Sequence, residues 1–95
     1  MKIKKRSDDQ IVSQILEICA NGAGKTRIIY QANLNSLKVN HYLESMVKND
    51  LIIEIPCGSR SIYKTTPRGL ELNQRFQSLQ TEIDALRLCL LDAEV

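Results

Sequence analysis

The chain has 95 residues, enough for one compact domain and an appendage but not for two full domains. At 43% hydrophobic and 25% charged it has an ordinary globular composition, and with one Phe, three Tyr and no Trp its core must be built from aliphatic side chains. No apolar run approaches the ~20 residues of a membrane span, and the basic start MKIKKRSDD has no apolar stretch behind it and does not read as a secretory signal. The expectation is a cytoplasmic protein without a membrane partner.

Charge is unevenly divided. Residues 1–69 carry eleven Lys/Arg against six Asp/Glu, a net of +5, and residues 70–95 carry two against five, a net of −3. The first part suits a polyanion and the second does not.

In chain order, Lys2, Lys4, Lys5 and Arg6 read as a flexible basic arm over residues 1–7. Ser7 offers a helix N-cap, with Asp8 and Asp9 favourable to the dipole in the first turn. Ile11, Val12, Ile15, Leu16, Ile18 and Cys19 then recur at helical spacing, and Asn21-Gly22 stops this helix, predicted over about 8–20. Gly24-Lys25-Thr26 opens a short second helix with an apolar stripe of Ile28, Ile29 and Ala32 and a stop at Asn33. Leu34 plugs the turn that follows. Asn35 or Ser36 caps a third helix whose inner face is Val39, Leu43, Met46 and Val47, flanked by Leu37 and Tyr42, and Asn49-Asp50 ends it. Two short helices joined by a turn of about three residues make a helix-turn-helix.

Two β-rich runs come next, Leu51–Ile55 and Ile62–Thr66, around a loop at 56–61 containing Pro56, Gly58 and Ser59. They read as a hairpin, placed where a wing would lie. Thr66-Pro67 restarts a helix. From there Leu72, Phe76, Leu79, Ile83, Leu86 and Leu90 repeat at spacings of 4, 3, 4, 3, 4, a heptad pattern. A rod of ~36 Å is too long to bury that stripe on so small a head, so it is expected to pair with its own copy. Glu82 with Arg87 would pair across a parallel coil and Arg75 with Glu82 across an antiparallel one, so charge leaves the direction open. The fold class read from these elements is mainly α with a small β-hairpin. The division is a winged helix-turn-helix over 1–66 and a coiled-coil dimerisation helix over 67–95.

The motifs that suggest chemistry are weak. Gly22-Ala23-Gly24-Lys25-Thr26 invites a phosphate-loop reading, but Cys19 stands where that loop needs its first Gly, and a helix precedes it instead of a strand. The plainer reading is a helix start whose N–H groups, with Lys25 and Thr26, contact a phosphate. Cys19, Cys57 and Cys89 are far apart and odd in number, with no CxxC, and read as reduced thiols. His41 has no paired carboxylate, Ser or Cys partner of a known catalytic type. No enzyme activity, cofactor or metal site is expected.

The string ICANGAGKTRIIYQANLN, then LKVNHYLESMVKNDLI, then a hairpin ending IYKTTPRGLEL, resembles the archaeal winged-helix family of 10a-type chromatin proteins. The match falls on Lys25, Thr26, Ala32, Asn33, Leu34, Asn35, Tyr42, Leu43, Leu51, Ile52, Tyr63, Thr66 and Gly69, within residues 8–90. The sequence departs at Asp50, where the family usually carries Gly, and in a shortened lead-in to the third helix. The resemblance implies a homodimer through an antiparallel coiled coil, sequence-tolerant binding of double-stranded DNA, and a nucleoid-associated location.

For that function the third helix would present Ser36, Lys38, Asn40 and His41, with Asn35 at its start, Lys25 and Thr26 beside it, and Arg60, Ser61 and Lys64 on the wing. One Lys and no Arg on the helix face suggest that phosphate contacts dominate over base reading. Two other roles compete: a winged helix whose third-helix face meets a partner protein, and a regulator that senses a thiol-reactive species or ligand.

Overall fold

The computed structural model describes residues 8–94, with side chains placed through residue 89. The basic arm expected over 1–7 and the side chain of Leu90 lie outside the described residues. The elements run α1 (Asp8–Ile18), β1 (Ala23–Gly24), α2 (Lys25–Ala32), α3 (Ser36–Lys48), β2 (Ile52–Cys57), β3 (Arg60–Thr65) and α4 (Pro67–Glu94).

Each of the first three helices buries one stripe: Ile11, Ile15 and Leu16 on α1, Ile28 and Ala32 on α2, Val39, Leu43 and Met46 on α3. Cys19, Ile52 and Tyr63 close the same core, and Leu34 packs against it from the turn between α2 and α3. Val47 departs from the expected inner face. It lies at the edge, 39% exposed. The caps follow the side-chain chemistry. Asn33 ends α2 in the left-handed conformation at φ 56, which Asn tolerates better than most residues. The Asn35 side chain accepts a hydrogen bond from Lys38 N at 2.8 Å and so starts α3.

The sheet is three-stranded and antiparallel, ordered β1-β3-β2. Its third strand was not expected: Ala23–Gly24 pairs with Tyr63 and Ile62 of β3. The wing is also tighter than expected. Pro56, Cys57, Arg60 and Ser61 belong to the strands, paired Pro56 to Ser61 and Cys57 to Arg60. Only Gly58 and Ser59 turn the chain, with Gly58 at φ 65, the two-residue geometry that needs glycine first.

Two threonines join the head to α4. Thr65 Oγ1 donates to Leu16 O at 2.7 Å and Thr65 N to Cys19 O at 3.0 Å. Those carbonyls belong to the C-terminal end of α1, where intrahelical partners run out. Thr66 Oγ1 donates to Asp50 O at 2.7 Å and accepts from Gly69 N at 3.0 Å, capping α4. Thr66 N donates to Leu51 O at 3.0 Å.

The first turns of α4 lie against α1. Ser13 Oγ donates to Asn73 Oδ1, and Gln77 Nε2 donates to Glu17 Oε2 at 2.6 Å. Leu72 and Phe76 line a small cavity of ≈ 140 Å³ with Val12 and Leu16. Past that contact the helix leaves the head, and residues 81–89 are all exposed.

Candidate nucleic-acid interface

Helix α3 sets its buried face inward through Val39, Leu43 and Met46, so at 100° per residue the line pointing straight out runs through positions 37, 41, 44 and 48. Leu37, His41, Glu44 and Lys48 are all exposed. Lys38 and Ser45 lie on one flank of that line and Asn40 on the other, where it lines a groove of ≈ 710 Å³ with Glu44, Lys48, Lys25, Glu54 and Tyr63. A second groove, ≈ 730 Å³, shares Lys25, Glu54 and Tyr63 and adds Thr26, Arg27, Arg60 and Ser61. The start of α2, the outer flank of α3 and the tip of the wing therefore border one continuous depression.

Of the residues expected here from sequence, Lys25, Thr26, Asn40, Arg60 and Ser61 line that depression. Ser36, Lys38 and His41 are exposed on α3. Asn35 has its side-chain oxygen committed to the helix cap. Lys64 stands apart. Tyr63 and Thr65 are buried on the inner face of β3, so the alternation of a strand puts Lys64 and Ile62 on its outer face, opposite Ile53 and Ile55. Arg27, Lys48, Leu37 and Glu44 were not among the expected site residues. The signal for the last three was available as the helical period read outward from Val39, Leu43 and Met46.

Among the described residues the one ion pair is Glu71 with Arg75, on α4 and exposed. The cations of the head, Lys25, Arg27, Lys38, Lys48, Arg60 and Lys64, are thus not neutralised by a described carboxylate at contact distance. The depression contains two carboxylates all the same, Glu44 and Glu54. Burial raises the Tyr63 phenol above its ordinary range, with Glu54 and then Cys19 adding to the shift, so its hydroxyl stays protonated on the groove wall. Burial also pushes the Cys19 thiol up to about 11, against a smaller opposing effect of Arg27. Among the described residues no group of three or more His, Cys, Asp or Glu is placed to hold a metal ion, and no helix is long and apolar enough to cross a membrane.

A helix-turn-helix followed at once by an antiparallel hairpin, with a third short strand closing the sheet, defines a winged helix. Residues 5–84 match the sequence profile of the winged helix-turn-helix family, and the chain belongs to that family. Curated protein sequences return no match. Among solved structures the chain is similar to Sso10a-2, a DNA-binding protein from Sulfolobus solfataricus, at 27% identity and a TM-score of 0.83 over 88% of each chain. It is also similar to the transcriptional regulator BldR from Sulfolobus solfataricus, at 11% identity and a TM-score of 0.75, over 83% of this chain and 60% of that one. A third likeness is to MepR, a transcription regulator of the Staphylococcus aureus multidrug efflux pump MepA, at 17% identity and a TM-score of 0.71, over 83% and 62%. This chain spans about three-fifths of the length of the last two, and the likeness to them is one of fold. The resemblance to 10a-type proteins thus agrees with both the family and the first of these structures.

Proposed function

We propose that the protein binds double-stranded DNA as a homodimer, with contacts to phosphate providing most of the affinity, in the role of a chromatin protein or transcription regulator. The observation that carries this reading is the ring of exposed cations without a paired carboxylate around the open depression between α2, α3 and the wing. A duplex offers a dense row of phosphates to such a surface, and α3 has the size to enter its major groove. The likeness to a DNA-binding protein over nearly the whole chain supports the same reading. The role is binding and not catalysis.

The dimer is proposed from α4. Leu79, Ile83 and Leu86 are 55%, 38% and 63% exposed along one heptad seam. An apolar stripe on a helix that has left its own head is satisfied by a second copy. The division that follows is a DNA-binding head over 1–66 and a dimerisation helix over 67–95.

The test is a fluorescence-anisotropy titration of mixed-sequence duplex at several salt concentrations, comparing the wild-type chain with the triple variant Lys25→Ala, Lys48→Ala, Arg60→Ala, whose cations line the depression. Binding should weaken steeply with salt. The variant should bind every sequence less tightly, and its slope of log affinity on log salt should fall by about one unit for each phosphate left without its cation. An unchanged slope and affinity would remove the head from the DNA interface and favour a partner protein on the α3 face.

A further inference from the structure

Resting on the DNA reading, we propose that α3 also reads two bases: Leu37 the 5-methyl group of a thymine, and Glu44 the exocyclic amino group of a cytosine about three base pairs away. The outermost line of α3 is the part that would meet the floor of a major groove, and it carries Leu37, His41, Glu44 and Lys48. A surface adapted only to phosphate would place cations along that line. Here its first position is apolar and 79% exposed, and its third is a carboxylate in the middle of a basic head.

Each of these anomalies has a partner in the major groove. An apolar side chain gains nothing from phosphate, and the one apolar group on the groove floor is the thymine methyl. A carboxylate is repelled by phosphate, but it accepts a hydrogen bond from cytosine N4, where the amino group is the donor. Glu44 is held at the groove border, with Asn40 and Lys48 beside it. It is in no ion pair with a described residue that would explain it otherwise. Seven residues separate Leu37 from Glu44, a rise of ~10.5 Å along the helix. That rise corresponds to about three base steps at ~3.4 Å. The result is a modest sequence bias laid over salt-dependent binding.

The experiment uses the full chain. Duplexes retained from a random pool are sequenced, and the favoured duplex is then resynthesised with uracil for thymine, which removes the 5-methyl group and nothing else. The wild type should bind the uracil duplex about fourfold more weakly per engaged head, the effect of one buried methyl, and Leu37→Ala should bind both duplexes alike. Replacing the favoured C·G pair should cost the wild type at least about fivefold in affinity. Glu44→Ala should lose that discrimination and bind mixed duplex more tightly than the wild type. Both side chains are exposed, so the variants should keep the wild-type melting temperature. Salt-dependent binding with no base preference, or a thymine preference that survives in Leu37→Ala, overturns this assignment and leaves the DNA reading standing. Absence of salt-dependent binding to any duplex overturns both.

Discussion

Gly69 should not accept even a methyl group. It is the third residue of α4, and a Cβ added there points at the Leu51 carbonyl oxygen, with Thr65 Cγ2 at 2.8 Å and Leu16 Cδ2 at 3.1 Å. The carbonyl is backbone and already holds Thr66 N at 3.0 Å, so it cannot rotate aside as a side-chain end would. On helix propensity alone, Gly69→Ala would stabilise by up to ~1 kcal/mol. Against this stand overpacking of ~1–3 kcal/mol and a strained or broken Thr66–Leu51 hydrogen bond worth ~1 kcal/mol. The net expectation is destabilisation by ~1–3 kcal/mol, a drop in Tm of roughly 4–8 °C per kcal/mol for a domain of this size. Circular-dichroism melts at one fixed protein concentration measure it, with Arg68→Ala as a neighbour that should stay within ~0.5 kcal/mol of wild type. A Gly69→Ala protein that melts at or above the wild type refutes the close approach of α4 to the loop before β2.

Further outcomes follow from other sites. Asp50 holds φ 62, where a side chain costs energy that glycine avoids, so Asp50→Gly should raise stability by up to ~1 kcal/mol in urea titrations. The Cys19 thiol, pushed up to about 11 by burial, should resist a thiol reagent at pH 8 while the exposed Cys57 and Cys89 react. Its folded pKa lies above its unfolded one, so the stability linked to it is fully present below pH 9 and lost as pH rises from about 9 to about 11, which pH-dependent melts can follow. The double variant Leu79→Asp, Ile83→Asp should sediment as a monomer, because carboxylates in the seam would be buried without partners. A variant that remains dimeric would mean that the seam lies elsewhere.

The parts of the fold that were legible in sequence are those set by local chemistry. The bounds of α3, the left-handed Asn33 stop and the Asn35 cap each depend on residues within one or two turns. The length of α4 needs only a stretch after Gly69 with neither Gly nor Pro. What escaped is set by distant contacts. Ala23–Gly24 has no strand character of its own and becomes β1 because β3 lies beside it. Pro56 and Ser61 look like loop residues, yet the two-residue turn at Gly58-Ser59 carries both strands through them. Tyr63, Thr66 and Gly69 form a recognisable pattern in sequence, but its reasons are structural: a tyrosine on the core, a threonine capping α4, and a glycine under a carbonyl from 18 residues earlier. Asp50 shows the same thing from the other side, since its positive φ explains why glycine would be usual there. At the candidate site the basic residues were easy to find by charge. Leu37 and Glu44 were missed because neither residue type suggests DNA until the buried face of α3 fixes which way is out.

The contact of α4 with its own head favours one direction for the proposed coil. Leu72 and Phe76 line the cavity beside Val12 and Leu16, while Leu79, Ile83 and Leu86 face away with no described neighbour to cover them. In a parallel dimer the two heads would sit side by side at one end, and each Leu72 would lie next to its twin. In an antiparallel dimer centred between Leu79 and Ile83, near position 81, residue 76 meets residue 86 of the other copy. The partner's exposed Leu86 then arrives at the mouth of the cavity, and the heads separate to opposite ends. The two Leu72 positions would stand 18 residues of rise apart, ~27 Å, far beyond the ~7 Å that a disulfide can span between Cα atoms. The antiparallel arrangement brings an apolar side chain of the second copy to the cavity and leaves each Leu72 against its own head, so it is the one expected. The assay is oxidation of Leu72→Cys in a chain whose Cys19, Cys57 and Cys89 are replaced, with the melting temperature checked first because Cys19 is fully buried. The protein should remain uncrosslinked on a non-reducing gel while sedimenting as a dimer. Rapid, near-complete crosslinking would establish the parallel coil and place both DNA-binding heads at the same end.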